Sequence, residues 1–135
     1  MKSKHFEIHE LVPKHIFEKY GEKAWRFINP MLIISLDTIK ERFPKGTMTI
    51  NNYFWGGDRH WSGLRTPISP YYSETSIHSF GGGGDSIFSD YEAEEIRQDI
   101  INNPDIYPHI KGIEMGISWL HTDVRNEDEV KLFYP

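Results

Sequence analysis

Cysteine is absent from this chain of 135 residues. That excludes a disulfide framework and every metal site built on thiolates, so a metal here would have to rest on histidine and carboxylate. Positive charge is scarce as well: 15 Lys and Arg stand against 20 Asp and Glu, a formal net charge of −5. An acidic chain lacks the basic face that non-specific binding to nucleic acid or to an anionic membrane needs. Long apolar runs are missing, and the longest, Met31 to Ile34, is far too short to cross a bilayer. The opening Met1-Lys2-Ser3-Lys4-His5-Phe6-Glu7 has no apolar core of the kind a secretory signal carries. The expected location is therefore the cytoplasm of the producing cell, unless export follows a route the sequence does not encode.

What is present describes a folded domain. Hydrophobic residues make up 38%, aromatics 14% and charged residues 26%, too apolar a mixture for a disordered chain. No repeat or linker divides it, so residues 1–135 are read as one domain. Three-four spacing of Ile8, Leu11, Val12, His15, Ile16 and Lys19 predicts a helix over 8–20, with Pro13 tolerated near its first turn and Gly21 as its stop. A short helix is expected over 22–27, where Trp25 would pack. Asn29-Pro30 is a helix start, with Asn as cap and Pro in the first position, and Leu32, Ile33, Leu36, Ile39 and Phe43 place the apolar stripe of a helix over 30–43. Alternation predicts a strand over 47–52, residues 53–75 read as irregular, and a strand is expected near 83–88. A second helix, 90–102, is capped in this reading by Ser89 or Asp90. Segments 110–114 and 117–124 read as a hairpin turned near Met115-Gly116. The fold class is α+β, with helices packed on an antiparallel sheet.

Two segments carry candidate chemistry. Ser76-Ile77-His78-Ser79-Phe80 runs into Gly81-Gly82-Gly83-Gly84 and then Asp85. Four glycines in succession cost backbone entropy, so something requires close approach or positive φ there. His78 and Asp85 flank the run and can turn onto one metal. In Trp119-Leu120-His121-Thr122-Asp123-Val124-Arg125, a strand would set 119, 121 and 123 on one face. His78, Asp85 and His121 form a candidate three-ligand site whose nitrogen and oxygen donors suit Zn²⁺ and leave a fourth position open. The alternatives are a flexible glycine loop, an anion-binding nest over Gly82–Gly84, and an ordinary strand histidine at 121. A P-loop is excluded, because no Gly-Lys-Ser/Thr follows.

Ser76-x-His78-x-x-Gly81-x-Gly83-x-Asp85 resembles the Ser-x-His-x-x-Gly-x-Ala-x-Asp signature of the zinc peptidases that include D-alanyl-D-alanine carboxypeptidases and phage L-alanyl-D-glutamate endolysins, whose fold the hedgehog signalling domain shares. Gly83 replaces the signature's Ala. Trp119 to Asp123 resembles the second motif, His-x-Asp after apolar residues, and Ser62-Gly63-Leu64-Arg65 resembles a Ser-Gly-Tyr-Arg segment. The likeness spans roughly residues 25–125, in matching order and spacing. It implies a hedgehog/D,D-peptidase-like fold and a metallopeptidase cutting D-Ala-D-Ala or L-Ala-D-Glu bonds of peptidoglycan stem peptides. It implies His78, Asp85 and His121 as zinc ligands, Ser76 as a loop-holding residue, and Arg65 as the cation facing the scissile carbonyl. For Arg65 the alternative is an ion pair with Asp58 or Asp123. Many relatives carry Glu or Asp three residues before the last ligand, where this chain has Ser118, which cannot act as base. Glu114, seven residues before His121, is the expected base; Asp123 is the alternative, better suited to orienting a ligand. A phage or bacterial source would make the protein a wall-lytic or wall-remodelling enzyme, held in the host cytoplasm until release or carried on the virion. The rival expectation is a non-catalytic, metal-binding wall or virion module. No membrane insertion is expected.

Overall fold

A computed structural model describes residues 1–135. Its helices are α1 (Lys14–Tyr20), α2 (Pro30–Arg42) and α3 (Ala93–Asn102), and its strands are β1 (Met48–Thr49), β2 (Gly83–Phe88), β3 (Gly112–Glu114), β4 (Leu120–Asp123) and β5 (Lys131–Phe133). The domain is α+β, as its composition and patterning predict. No helix is long and apolar enough to cross a membrane.

The helix over 30–43 forms for the reasons its sequence states. The Asn29 side chain accepts a hydrogen bond from the Met31 N–H at 2.9 Å, and Pro30 opens the first turn. Leu32, Ile33, Leu36 and Ile39 are buried along one stripe. A Cβ on Gly84 would stand 3.6 Å from Leu36 and 4.0 Å from Leu32, so α2 lies on the face of β2 to which Gly84 points. Asp85, next along the strand, faces the other way.

Sheet order is β1-β2-β4-β3-β5. The pairs β1–β2, β2–β4 and β3–β4 are antiparallel, but β5 runs parallel to β3. The wholly antiparallel expectation is therefore corrected to a mixed sheet. The fifth strand carries too short an alternation, Lys131-Leu132-Phe133, to be visible in the sequence.

Other boundaries move for identifiable reasons. The stretch 8–20 is broken at Pro13, with a 3₁₀ turn at Ile8–Glu10 before it and α1 after it. The carbonyls that a continuous helix would use internally go to tertiary partners: Leu11 O accepts from Leu64 N, and Val12 O accepts from Asn51 Nδ2 and Tyr53 Oη. The segment 22–27 is a 3₁₀ run with Trp25 buried. The strand at 47–52 shrinks to two residues, because Asn51 N donates to Glu10 O and Asn52 N to Arg59 O. Helix 90–102 begins at Ala93 after Glu92. Ser89, predicted as its cap, instead accepts from Thr47 N and donates to Asp90.

The β3–β4 hairpin is held by an arginine that periodicity does not single out. Arg97, 2% exposed on α3, donates to the backbone carbonyls of Glu114 (3.0 Å), Ile117 (2.5 Å) and Trp119, and pairs with Glu94 at 2.7 Å. One guanidinium thus satisfies three carbonyls of an irregular loop. Arg97→Met should preserve volume but leave those carbonyls unpaired, lowering stability by about 2–4 kcal/mol. Urea unfolding monitored by circular dichroism checks this, and a loss under about 0.5 kcal/mol, the scale of an ordinary surface change, would show that the latch carries no weight.

Candidate metal centre

Asp85 and His121 are direct partners in the β2–β4 ladder, so their side chains leave the sheet on the same face, opposite α2. Continuing the β3–β4 register of Gly112↔Asp123 and Ile113↔Thr122 sets Glu114 beside His121. Phe133 is the partner of Glu114 in the parallel pair. One row across the sheet therefore reads Asp85, His121, Glu114, Phe133.

His78 arrives from outside the sheet. It sits on a 3₁₀ turn, Ile77–Phe80, whose start is held by the Ser76 hydroxyl accepting from His78 N at 3.3 Å, the loop-holding part expected of Ser76. Gly81 ends the turn at φ +69, and a Cβ there would strike the Phe27 carbonyl. Gly83 lies under the histidine, where a Cβ would stand 2.9 Å from Ile77 and 3.5 Å from the His78 ring. The glycine run therefore answers both requirements read from it, positive φ and close approach. It does not form an anion nest, since Gly83 and Gly84 are paired within β2.

His78, Asp85 and His121 are all buried, and one donor atom from each lies within 4.8 Å of the others. Tetrahedral ligands about 2.0–2.2 Å from an ion stand about 3.3–3.6 Å apart. His78 Nε2 to Asp85 Oδ1 is 3.4 Å, and His121 Nδ1 to Asp85 Oδ1 is 2.8 Å. The second separation is a hydrogen bond, which would have to lengthen for an ion to take the place of its proton. Both imidazoles are already oriented for ligation. His78 Nδ1 donates to Gly63 O at 2.9 Å, which turns the lone pair of Nε2 inward, and His121 Nε2 is bonded to Asp123 Oδ2 at 2.7 Å, which leaves Nδ1 for the ion. The donor set fits a divalent metal.

The same contacts set the charges. Burial disfavours the ionised Asp85, but hydrogen bonds from His121 and His78 outweigh it and hold the carboxyl far below the usual range. Burial alone would lower His121, yet its bonds to Asp123 and Asp85 raise it to about 9. Without metal, His121 is thus an imidazolium between two carboxylates. Asp123 is fully buried, and Arg125 donates to it from Nε at 2.8 Å and Nη2 at 2.7 Å. Burial pushes its carboxyl up, but Arg125 and then His121 pull it well below the ordinary value.

The three ligands open onto a cleft of about 560 Å³ that Arg65, Glu114, Arg125, Trp119, Phe80 and Phe133 also line. Arg65 reaches it as predicted, but its ion pair is with Asp85 (Nη2 to Oδ2, 3.1 Å), not with Asp58 or Asp123. Its Nε donates to Trp61 O at 2.7 Å, and burial lowers its pKa against the attraction of Asp85 and Glu114. Glu114 lines the cleft. Asp123 does not: it lies behind His121, the orienting position that the sequence favoured for it over that of a base. Ser118 faces a different hollow, beside Asp90 to Ala93. Sequence reasoning missed Arg125 and Phe133; the signal for Arg125 was its place two residues beyond Asp123 on the ligand strand. Compared with known protein families, curated proteins and solved structures, the chain matches none.

Titration with Zn²⁺ is expected to show one tight site per chain, lost in His78→Ala, Asp85→Ala and His121→Ala. Because His121 holds its proton up to about pH 9, uptake at pH 7 should release one proton from it, and affinity should climb with pH below that value. Calorimetry in buffers of different ionisation enthalpy checks the proton. In the metal-free protein the sign is the reverse: His121 is raised from 6.5 to about 9, so its contribution to stability is complete below the lower value and is lost as pH rises through the higher one.

Proposed function

We propose that this protein is a zinc metallopeptidase that hydrolyses peptide bonds of peptidoglycan stem peptides. The observation that carries the reading is the convergence on one cleft of a buried His-Asp-His donor set, a carboxylate beside it and an arginine on its other side. The motif resemblance supplies the substrate class, D-Ala-D-Ala or L-Ala-D-Glu bonds, and the wall-lytic setting.

His78, Asp85 and His121 hold the ion in this reading, through two imidazole nitrogens and one carboxylate oxygen. When bound, zinc polarises a carbonyl and acidifies water. The remaining work belongs to the chain. Glu114, next to His121 on the cleft side, takes the proton of the attacking water and returns it to the leaving amine. Its strand end is held by Arg97 through the Glu114 carbonyl, which keeps the carboxylate near the ligands. Arg65 offers its guanidinium to the negative charge that develops on the scissile carbonyl oxygen, while Asp85 and the Trp61 carbonyl fix its direction. Asp123 holds His121 in one tautomer and stays behind the site.

Glu114→Gln should keep zinc and lower kcat at least ~10²-fold, the scale for loss of a general base. Arg65→Ala should cost about 10²–10³-fold, as loss of an oxyanion donor does. Digestion of purified peptidoglycans of several stem chemistries, with products identified by mass spectrometry, checks both. A zinc-loaded wild type that releases nothing would replace this reading with a metal-binding wall or virion module. Full activity in Glu114→Gln would transfer the base to another group.

A further inference from the structure

A second hollow lies at the β1 edge of the sheet and shares no residue with the metal cleft. Its volume is about 390 Å³, in the range of small-ligand sites, and Trp55, Asn52, Thr49, Glu10, Lys40 and His5 are among the residues that line it. Trp55 is the feature that core packing does not explain. It ends a 3₁₀ turn, Tyr53–Trp55, that Gly56 closes at φ +89. The His9 ring stacks on Phe54 at 4.0 Å, and Trp55 stands nearly perpendicular to both, at 5.0 and 5.8 Å. Aromatic neighbours thus hold the indole in place, yet 63% of the residue is exposed. A ring already fixed loses little freedom when it takes a ligand.

The polar groups of the hollow keep bonding capacity in reserve. Asn52 Oδ1 accepts from Arg59 N at 2.9 Å, which leaves Nδ2 as a donor without a protein partner. A Cβ on Gly57 would strike the Asn52 side chain, so the glycine makes room for it. Glu10 Oε2 accepts from Glu7 N at 2.8 Å, and Oε1 is free. Lys40 Nζ donates to the Pro44 and Gly46 carbonyls and retains a third proton. One carboxylate and one ammonium balance each other, so the lining favours a neutral ligand rather than an ion. A flat apolar ring beside separate donors and acceptors matches a pyranose, which turns its C–H face to the ring and its hydroxyls to the polar groups. A peptide strand would find little to join here, because β1 has two residues and Asn51 N is already bonded to Glu10 O.

We propose that this hollow binds a pyranose unit of a neutral glycan, with Trp55 as the stacking platform and Asn52, Glu10 and Lys40 as its hydrogen-bonding partners. The site stands apart from the metal centre and does not depend on the peptidase reading.

The test titrates the full chain with chitohexaose, a β-1,4-linked N-acetylglucosamine hexamer, and with cellohexaose, which lacks the acetamido groups. Calorimetry gives the affinity, and the indole N–H signals of the four tryptophans locate the sugar. The Trp55 signal, identified by its loss in Trp55→Ala, should move. Trp55→Ala should weaken binding at least ~10-fold, the scale of a stacking contact with the area it covers, and Trp55→Phe should recover part of it. Binding of chitohexaose alone assigns the hollow to an N-acetylated glycan of the wall type, and equal binding of both assigns it to β-linked pyranoses in general; either supports the proposal. Binding of neither hexamer overturns it, as does an affinity unchanged in Trp55→Ala. Movement of the Trp119 signal in place of that of Trp55 would put the sugar in the metal cleft and also overturns it. If Trp55→Ala fails to fold, Trp55→Phe and the wild-type signals decide. No hydrolysis is measured, so failure of the peptidase reading leaves this outcome untouched.

Discussion

Asp85 and His121 occupy partner positions on two antiparallel strands, and their 2.8 Å contact is the element around which the rest of the site is arranged. A slip of one residue in the β2–β4 register would turn one of these two side chains to the α2 face and separate it from the other. The glycines guard that register. Gly84 gives α2 its seat, Gly83 admits the His78 turn, and Gly81 ends that turn at a positive φ that a larger residue would adopt only with strain. The most entropically costly stretch of the chain is thus where three layers meet: helix, strand and ligand-bearing turn.

The charges follow from the same pairing. His121 sits between Asp85 and Asp123, which without metal hold an imidazolium in place. A divalent ion can take over the proton's place between His121 and Asp85 with little rearrangement, because each imidazole is already turned by its other nitrogen. Asp123 in turn depends on Arg125, and Arg125 on Phe133 and on the empty volume at Gly112. Arg97 works on another part of the same wall. It holds the carbonyls of Glu114, Ile117 and Trp119 and so fixes where the hairpin ends. The parallel strand β5 completes the row with Phe133, whose ring meets that of His121 edge-on at 5.6 Å.

Elements whose determinants are local were legible in the sequence. Asn29-Pro30 and the stripe from Leu32 to Ile39 specify α2 without help from the rest of the chain, and the residues flanking the glycine run made His78 and Asp85 candidate ligands, which the motif resemblance joined to His121. What could not be read depends on partners distant in sequence. Pro13 splits the first helix because Leu64, Asn51 and Tyr53 claim the carbonyls before it. Ser89 abandons the start of α3 for Thr47. β5 exists only because β3 offers it an edge. Arg97 looks like any solvated helix charge until the hairpin lies over it, and Arg125 acquires its meaning from an aromatic ring eight residues further on.

The most direct test of the central claim, that His78, Asp85 and His121 form one preorganised metal centre, is anomalous diffraction at the zinc edge from crystals grown with Zn²⁺. A single strong peak about 2.0–2.2 Å from His78 Nε2, His121 Nδ1 and an Asp85 carboxylate oxygen, with Asp123 still bonded to His121 Nε2, is the predicted result. A map with no peak among these three side chains, or with the ion held by other residues, would contradict it.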